Sequence, residues 1–177
     1  IQPFFADLHI GGISIAHNGN LTNAIHLRNQ MVKDGSVFQT TSDTETLVQL
    51  IAKSKKLKML DKIIESIFQV QGGYALVILT NKKLIGIRDP YGIRPLVLGK
   101  LGNSYIFASE TCALDIIGAD FIREIDNGEI VVVNQNGIES IKPFTNQSAR
   151  PCIFEYIYFA RLTVLSEENL SMNIEKI

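Results

Sequence analysis

The sequence has almost no excess of either charge: 17 Lys and Arg stand against 18 Asp and Glu, a formal net charge of -1. No dense basic patch interleaved with aromatics appears, so nucleic acid is not expected as a partner. Cysteine is scarce too. Cys112 and Cys152 are the only two, and their wide separation leaves no CxxC pair and argues against a disulfide framework. No apolar run approaches the roughly 18 residues of a membrane span, and no signal peptide is visible. A membrane partner is therefore not expected, and a soluble, cytoplasmic protein is the simplest reading. Histidine occurs only at His9, His17 and His26. None has an obvious Ser or Cys partner in sequence, and no metal-ligand spacing stands out. The chain opens on Ile1 rather than Met, so it is not expected to begin where its gene begins.

What is present is a core. Hydrophobic residues make up 46% of the 177, enough for one sizeable core with an irregular tail. In "GGISIAHNG", Ile13, Ile15 and His17 alternate with Ser14 and Ala16, the period of a strand. From Asn23 the period changes: Ala24, Leu27 and Met31 line one face of a helix that Gly35 can terminate. "TTSDTETLVQLIAK" starts a second helix. Ser42 and Glu45 match a capping box there, Leu47, Leu50 and Ile51 form the apolar stripe, and the Lys53–Lys58 run is a solvated helix end. "LDKIIESIFQVQGG" fits a third helix through Ile63, Ile64, Ile67 and Phe68, stopped at Gly72 and Gly73. The rest reads mostly as strands: "YALVILT" and "LIGIR" flank a turn at Asn81–Lys83, and "DPYG" (Asp89–Gly92) suits a type I turn. "LVLGKLGNSYIFAS" reads as a hairpin, and "GEIVVVNQNGIESI" as another with Asn136 and Gly137 at its bend. Helices first and antiparallel strands later predict a layered α+β domain. Spacing alone does not distinguish one sheet from two stacked sheets.

Two polar clusters carry candidate chemistry. In "HNGNLTNA" (His17–Ala24), an Asn-Gly pair after a strand is most simply a turn, with Asn20 or Thr22 capping the helix that follows. Such a turn can also aim donors into a cleft. The Asn18 amide donates, and Gly19 leaves its N–H unobstructed by a side chain. Two such donors about 3 Å from a developing negative oxygen would form an oxyanion hole. In "QTTSDTE" (Gln39–Glu45), Ser42 as a cap and Asp43 in the first turn are sufficient structural explanations. Asp43 can alternatively bind a cationic amino group at the mouth of a pocket. Cys112, in "SETCALDIIGA", reads as a small hydrophobe packed in a short helix rather than as a nucleophile.

Taken together, "QPF" (Gln2–Phe4), "GGISIAHNGNLTNA" (Gly11–Ala24), "FQTTSDTETLVQLIA" (Phe38–Ala52), "GGYALVIL" (Gly72–Leu79), "RDPYGIRPLVLG" (Arg88–Gly99), "ASETCALDIIGA" (Ala108–Ala119) and "CIFEYIYFAR" (Cys152–Arg161) resemble the amidophosphoribosyltransferase family, within its glutaminase domain. "HNG" with a downstream "SD" is shared by the wider class of N-terminal-nucleophile glutamine amidotransferases. "RDPYGIRPL", "SETCAL" and "FEYIYFAR" are closer to the purine enzyme than to the glucosamine-phosphate or asparagine synthases. The resemblance implies a four-layer αββα sandwich, with two stacked, largely antiparallel sheets covered by helices. It makes residues 1–161 a partial class II glutamine amidotransferase (glutaminase) domain and residues 162–177 a tail or the remnant of a missing segment. The implied activity is hydrolysis of glutamine by an N-terminal cysteine whose own α-amine is the base. The ammonia passes to a phosphoribosyltransferase domain and displaces pyrophosphate from phosphoribosyl pyrophosphate, giving the phosphoribosylamine that opens purine synthesis. By the same resemblance Asn18 and Gly19 form the oxyanion hole and Asp43 holds the α-amino group of glutamine. His17, Arg88, Asp89, Arg94, Ser109 and Glu110 frame or support the pocket. A well-hydrogen-bonded loop beside the site is the alternative for Arg88, Asp89, Arg94, Ser109 and Glu110. Tyr156, Tyr158 and Phe159 suit interdomain or core packing.

The sequence departs from that pattern at both ends. The family begins with Cys-Gly and carries an "R-[YW]-[SA]-T-x-G" segment, whose Arg holds the glutamine carboxylate, before "QPF"; here residue 1 is Ile. After "FEYIYFAR" the family continues with "PDS", whereas Leu162, Thr163 and Val164 follow here. The chain by itself is therefore expected to be inactive, lacking nucleophile, carboxylate clamp and synthetic domain. No cofactor is expected for the glutaminase domain, and Mg2+ is expected for the phosphoribosyltransferase domain. Cys152 stands where iron–sulfur members have one cluster ligand, with a buried free thiol as the alternative, since one cysteine cannot hold a cluster. Implied partners are glutamine, phosphoribosyl pyrophosphate through the missing domain, and further copies of the full-length chain in a homo-oligomer. The competing readings are another class II amidotransferase and a truncated, non-catalytic interaction or regulatory domain.

Overall fold

The structure, a computed structural model, describes residues 2–144, 148–150 and 152–153. The "FEYIYFAR" residues, with Tyr156, Tyr158 and Phe159, and the 162–177 tail lie outside the described residues. Along the chain run β1 (Phe4–Leu8), β2 (Gly11–Leu21), α1 (Ala24–Lys33), α2 (Asp43–Lys53), α3 (Met59–Ile67), β3 (Gly72–Thr80), β4 (Leu84–Arg88), β5 (Val97–Leu101), β6 (Ser104–Ala108), α4 (Thr111–Ile116), β7 (Asp120–Glu124), β8 (Ile130–Asn134) and β9 (Gly137–Ile141). They form a six-stranded sheet in the order β1-β2-β3-β4-β8-β9 and a three-stranded sheet in the order β6-β5-β7. Every pairing is antiparallel.

The period-2 alternation of the strands assigns the layers. Tyr74, Leu76 and Ile78 of β3 face one way with Ile13, Ile15, Ile85, Ile87, Ile130 and Val132, and they pack against Leu47, Ile51, Ile63 and Ile67 of α2 and α3. Ala75 and Val131 face the other way and meet Leu96, Leu98 and Ile125, with Tyr105 and Phe107 beside them. On the far side of the small sheet, Val97 packs on Leu114 and Ala119. The layers are thus helices, large sheet, small sheet, helix, which makes the sandwich αββα and resolves the choice between one sheet and two. A glycine lets the sheets approach: a Cβ at Gly86 would lie 2.4 Å from the Phe107 ring.

Several local expectations hold. Gly35, at φ +86, ends α1, with Ser36 N–H on Met31 O (2.8 Å) and Gly35 N–H on Val32 O (3.0 Å) satisfying the last carbonyls. "DPYG" closes with Gly92 N–H on Asp89 O at 3.1 Å. Others are corrected. Neither Asn20 nor Thr22 caps α1: the cap position is Asn23, whose side chain makes no capping bond. Its amide instead donates to Gln69 O and accepts from Gln71 N–H, both at 2.9 Å, tying the start of α1 to the segment between α3 and β3. Ser42 caps α2 through Thr44 N–H (3.2 Å), but Glu45 does not close a capping box, because its carboxylate serves the preceding loop. Phe68 is exposed and rests on Phe144, the ring centroids 4.8 Å apart. In the last hairpin Asn134 pairs with Gly137, so the bend is Gln135 and Asn136.

Candidate active site

Asn18 and Gly19 do not form a turn. β2 runs unbroken to Leu21, pairing Asn18 with Ala75 and Gly19 with Tyr74. The strand continues because residue 19 is glycine: at φ +142, a Cβ would sit 2.1 Å from Gly73 O, so only a bare Cα lets β2 and β3 approach this closely. On the other side of β2 the ladder to β1 ends at Phe4 opposite Ile15. Pro3 has no N–H to continue it. The Gln2 side chain takes over, donating from Nε2 to His17 O (2.8 Å) and accepting from His17 N–H (2.6 Å).

Alternation then sends adjacent side chains to opposite faces. Asn18 is exposed on one face, and its Nδ2 donates to Ser109 Oγ at 3.4 Å, just past the end of β6. His17 is 7% exposed on the opposite face, with Nδ1 3.2 Å from Thr44 Oγ1 and 3.5 Å from Asp43 Oδ1. Asp43, the first residue of α2, accepts Leu21 N–H on Oδ2 at 3.0 Å and remains partly open to solvent. The carboxylate is thereby pinned to the end of the strand that carries Asn18. Burial lowers the His17 pKa below its usual value, outweighing the Asp43 carboxylate, which raises it.

The loop ahead of Asp43 is fastened with equal care. Glu45 accepts Gln39 N–H, Thr40 N–H and the Thr40 hydroxyl, each at 2.7 Å. Arg28 donates to Thr40 O at 2.5 Å and lies over the Phe38 ring at 4.3 Å. Burial pushes the Glu45 pKa up, but the bonds from Gln39 and Thr40 and the Arg28 charge outweigh it and leave it lowered. These contacts fix where α2 starts, and hence where Asp43 sits.

Arg88 and Asp89 belong to the scaffold. Asp89 is fully buried and accepts N–H bonds from Tyr91 and Ile93 on Oδ1 and from Tyr74 and Arg94 on Oδ2. Arg88 donates to the carbonyls of Arg94, Ile125 and Gly92 and pairs with Glu124 at 3.0 Å. These bonds engage both side chains with the loop around them. Glu110 accepts the Cys112 thiol at 3.0 Å, and Cys112 is half-buried rather than a core residue. Cys152 is also half-buried. The two cysteines of these 177 residues are too few by themselves for a cluster held by about four thiolates. No group of three or more His, Cys, Asp or Glu among the described residues could hold a metal. Gln2, Thr44 and the Leu21 amide are parts of the site that no sequence pattern marks singly; only the presence of Gln2 in "QPF" hinted at one of them.

Residues 1–115 match the family model of a glutamine amidotransferase domain. The chain belongs to that family. The amidotransferase domain is 47% identical to an amidophosphoribosyltransferase of Rhizobium etli, over 99% of this chain and 38% of the relative. It superposes on the Bacillus subtilis glutamine phosphoribosylpyrophosphate amidotransferase, solved with ADP and GMP, with a TM-score of 0.89 and 41% identity over 93% of this chain and 36% of the other. A second solved structure, described as the allosteric regulatory enzyme of purine biosynthesis, gives a TM-score of 0.90 at 41% identity, over 94% of this chain and 36% of that one. The amidotransferase domain thus corresponds to the glutaminase portion of these enzymes and shares their αββα fold. It spans about a third of the length of the curated relatives it matches. No helix among its described residues is long and apolar enough to cross a membrane.

Proposed function

We propose that this domain binds glutamine and stabilises the hydrolysis of its side-chain amide, supplying ammonia for phosphoribosylamine synthesis in an amidophosphoribosyltransferase. One observation carries the reading: the exposed Asn18 amide and the Leu21 N–H that anchors the Asp43 carboxylate lie three residues apart on one strand. Asp43 takes the α-ammonium of glutamine in a charge-assisted bond. The Asn18 amide, with the Gly19 N–H, receives the negative charge that develops on the carbonyl oxygen. The attacking thiolate and the clamp on the glutamine carboxylate are not among these residues, so they are assigned to sequence preceding Ile1 in the parent enzyme. Phosphoribosyl pyrophosphate, Mg2+, homo-oligomerisation and a cytoplasmic setting belong to the same proposal for the parent.

The test uses a completed enzyme, in which the preceding and following segments of the Bacillus subtilis relative flank residues 1–161. Asn18→Ala is expected to lower glutamine-dependent kcat by roughly 10²- to 10³-fold, or about 3 to 4 kcal/mol. Activity with supplied ammonia should change much less, since free ammonia bypasses amide hydrolysis. Equal loss with both nitrogen sources would overturn the oxyanion role.

A further inference from the structure

We propose that His17 is the positioning residue for the amine-binding carboxylate: a neutral, Nδ1-protonated ring braces Asp43 while leaving it the full negative charge that an α-ammonium group requires. This rests on the reading of Asp43 as the amine acceptor and adds to it a reason why that carboxylate is both fixed and uncompensated.

The geometry constrains the ring from three directions. Its backbone is held on both polar groups by the Gln2 amide, its Nδ1 faces Thr44 Oγ1 and Asp43 Oδ1, and it is almost wholly buried. Among the described residues its Nε2 is buried with no hydrogen-bond partner. That contrast sets the tautomer. A proton on Nδ1 would point at the Thr44 hydroxyl oxygen and the Asp43 carboxylate, whereas a proton on the buried Nε2 would meet no acceptor among the described residues. The proton therefore belongs on Nδ1. Asp43 is then held on one oxygen by the Leu21 amide and approached on the other by the His17 N–H.

Charge decides why the ring must be neutral. An imidazolium 3.5 Å from Asp43 would form an internal ion pair and compete with the incoming ammonium for the same carboxylate. The charged groups acting on the ring are Asp43, which favours protonation, and Arg94 from the β4–β5 loop, which opposes it. Tyr74, opposite Gly19 on the neighbouring strand and same face, stays a neutral phenol, its pKa raised by burial and by Asp89. Burial of the ring outweighs Asp43 and holds the histidine neutral at pH 7. As the pH falls through the lowered His17 pKa, the imidazolium forms and amine binding weakens.

Nitrogen-15 NMR of the 177-residue chain tests the ring state directly. At pH 7 the expected spectrum is that of a neutral Nδ1–H tautomer, and Asp43→Asn should lower the titration midpoint of His17 further. An Nε2–H tautomer, or an imidazolium at pH 7, would overturn the proposal. Kinetics of the completed enzyme test the consequence with two variants. His17→Asn places an amide near the Nδ1 position and should keep the glutamine KM within about 3-fold, whereas His17→Gln reaches toward the Nε2 position and should raise it roughly tenfold, with kcat changed less than KM. Equal effects of the two variants, or a loss confined to kcat, would refute the bracing role. Asp43→Asn is run beside them: an unchanged KM there removes the amine-acceptor reading, while a raised KM with indistinguishable His17 variants removes only this inference.

Discussion

At the scale of single residues, the site depends on side chains that are absent as much as on those present. Gly19 sits where a methyl group would meet the Gly73 carbonyl, at a φ that L residues rarely adopt. Gly19→Ala is therefore expected to destabilise the domain by about 2 to 4 kcal/mol, read as a lower urea midpoint with an unchanged m-value. A wild-type midpoint would show that β2 and β3 can separate there without cost. Asp43 separates two roles. Asn at this position keeps an oxygen for the Leu21 N–H and is itself tolerated at a helix start, so melting should barely change. In the completed enzyme Asp43→Asn should raise glutamine KM strongly, because the charge-assisted bond to the ammonium is lost. An unchanged KM in a normally melting variant would take Asp43 out of the binding site. Asn18 was legible as a candidate because "HNG" is rich in donors; Gln2 was marked only by its place in "QPF", since a Gln before a Pro does not tell which strand its side chain will meet.

Among elements, α2 shows how a helix start is positioned by more than its cap. Ser42 provides the cap, while Glu45 reaches back to the loop and Arg28 of α1 closes over it. The lowered pKa of Glu45 has a stability consequence. Its folded value lies below its unfolded one, so the stabilisation is present above the ordinary value of 4.5 and is lost as pH falls through the folded value. Glu129 behaves the same way: burial raises its pKa, but Arg123 in a two-pronged pair, the Ser140 hydroxyl and the Asp126 N–H lower it further. Urea midpoints should fall steadily below about pH 4.5, and Glu45→Gln should flatten part of that dependence while lowering the midpoint at pH 7. A parallel curve for the variant would show that Glu45 carries none of the acid sensitivity. The sequence reading reached α1, α2, α3 and the hairpins, whose apolar spacing is long and regular. It passed over β1 and β7, five-residue edge strands with much of their surface exposed; β6 and β9 are edge strands of the same length, but each is marked by the hairpin turn that precedes it. Such a segment carries too few inward positions for alternation to register.

For the whole molecule, the decisive contact is between the two sheets. Gly86→Val would drive its side chain into the Phe107 ring, where even a Cβ lies 2.4 Å away. Overpacking of this kind should cost about 1 to 3 kcal/mol. Phe107→Leu in the same protein should recover part of the loss, and a double variant no more stable than Gly86→Val would show that the strain lies elsewhere. At this scale too belongs the activity of the isolated chain. In the proposed roles Asn18, Gly19 and Asp43 position and stabilise, and none supplies a thiolate with an adjacent free amine. Purified residues 1–177 should release no ammonia from glutamine above a heat-killed control. Ammonia release that disappears with Asn18→Ala would reveal another nucleophile within these residues.

The sequence by itself determined the helices, most of the strands, the donors at Asn18 and Gly19 and the acidic helix start at Asp43, because periodicity and local polarity are properties of neighbouring residues. Tertiary structure alone decided that Asn18 and Gly19 continue a strand instead of turning, since that depends on the Gly73 carbonyl more than fifty residues away. It also decided that Arg88 and Asp89 serve a loop, as their partners are chiefly backbone groups brought in by the fold. That two sheets form and stack is visible only in the fold, where Ala75 and Val131 of one meet Leu96 and Leu98 on the side of the other and Gly86 lies against Phe107. Side chains on opposite faces of one strand, His17 and Asn18, acquire their separate tasks only when α2 covers one face and the end of β6 approaches the other.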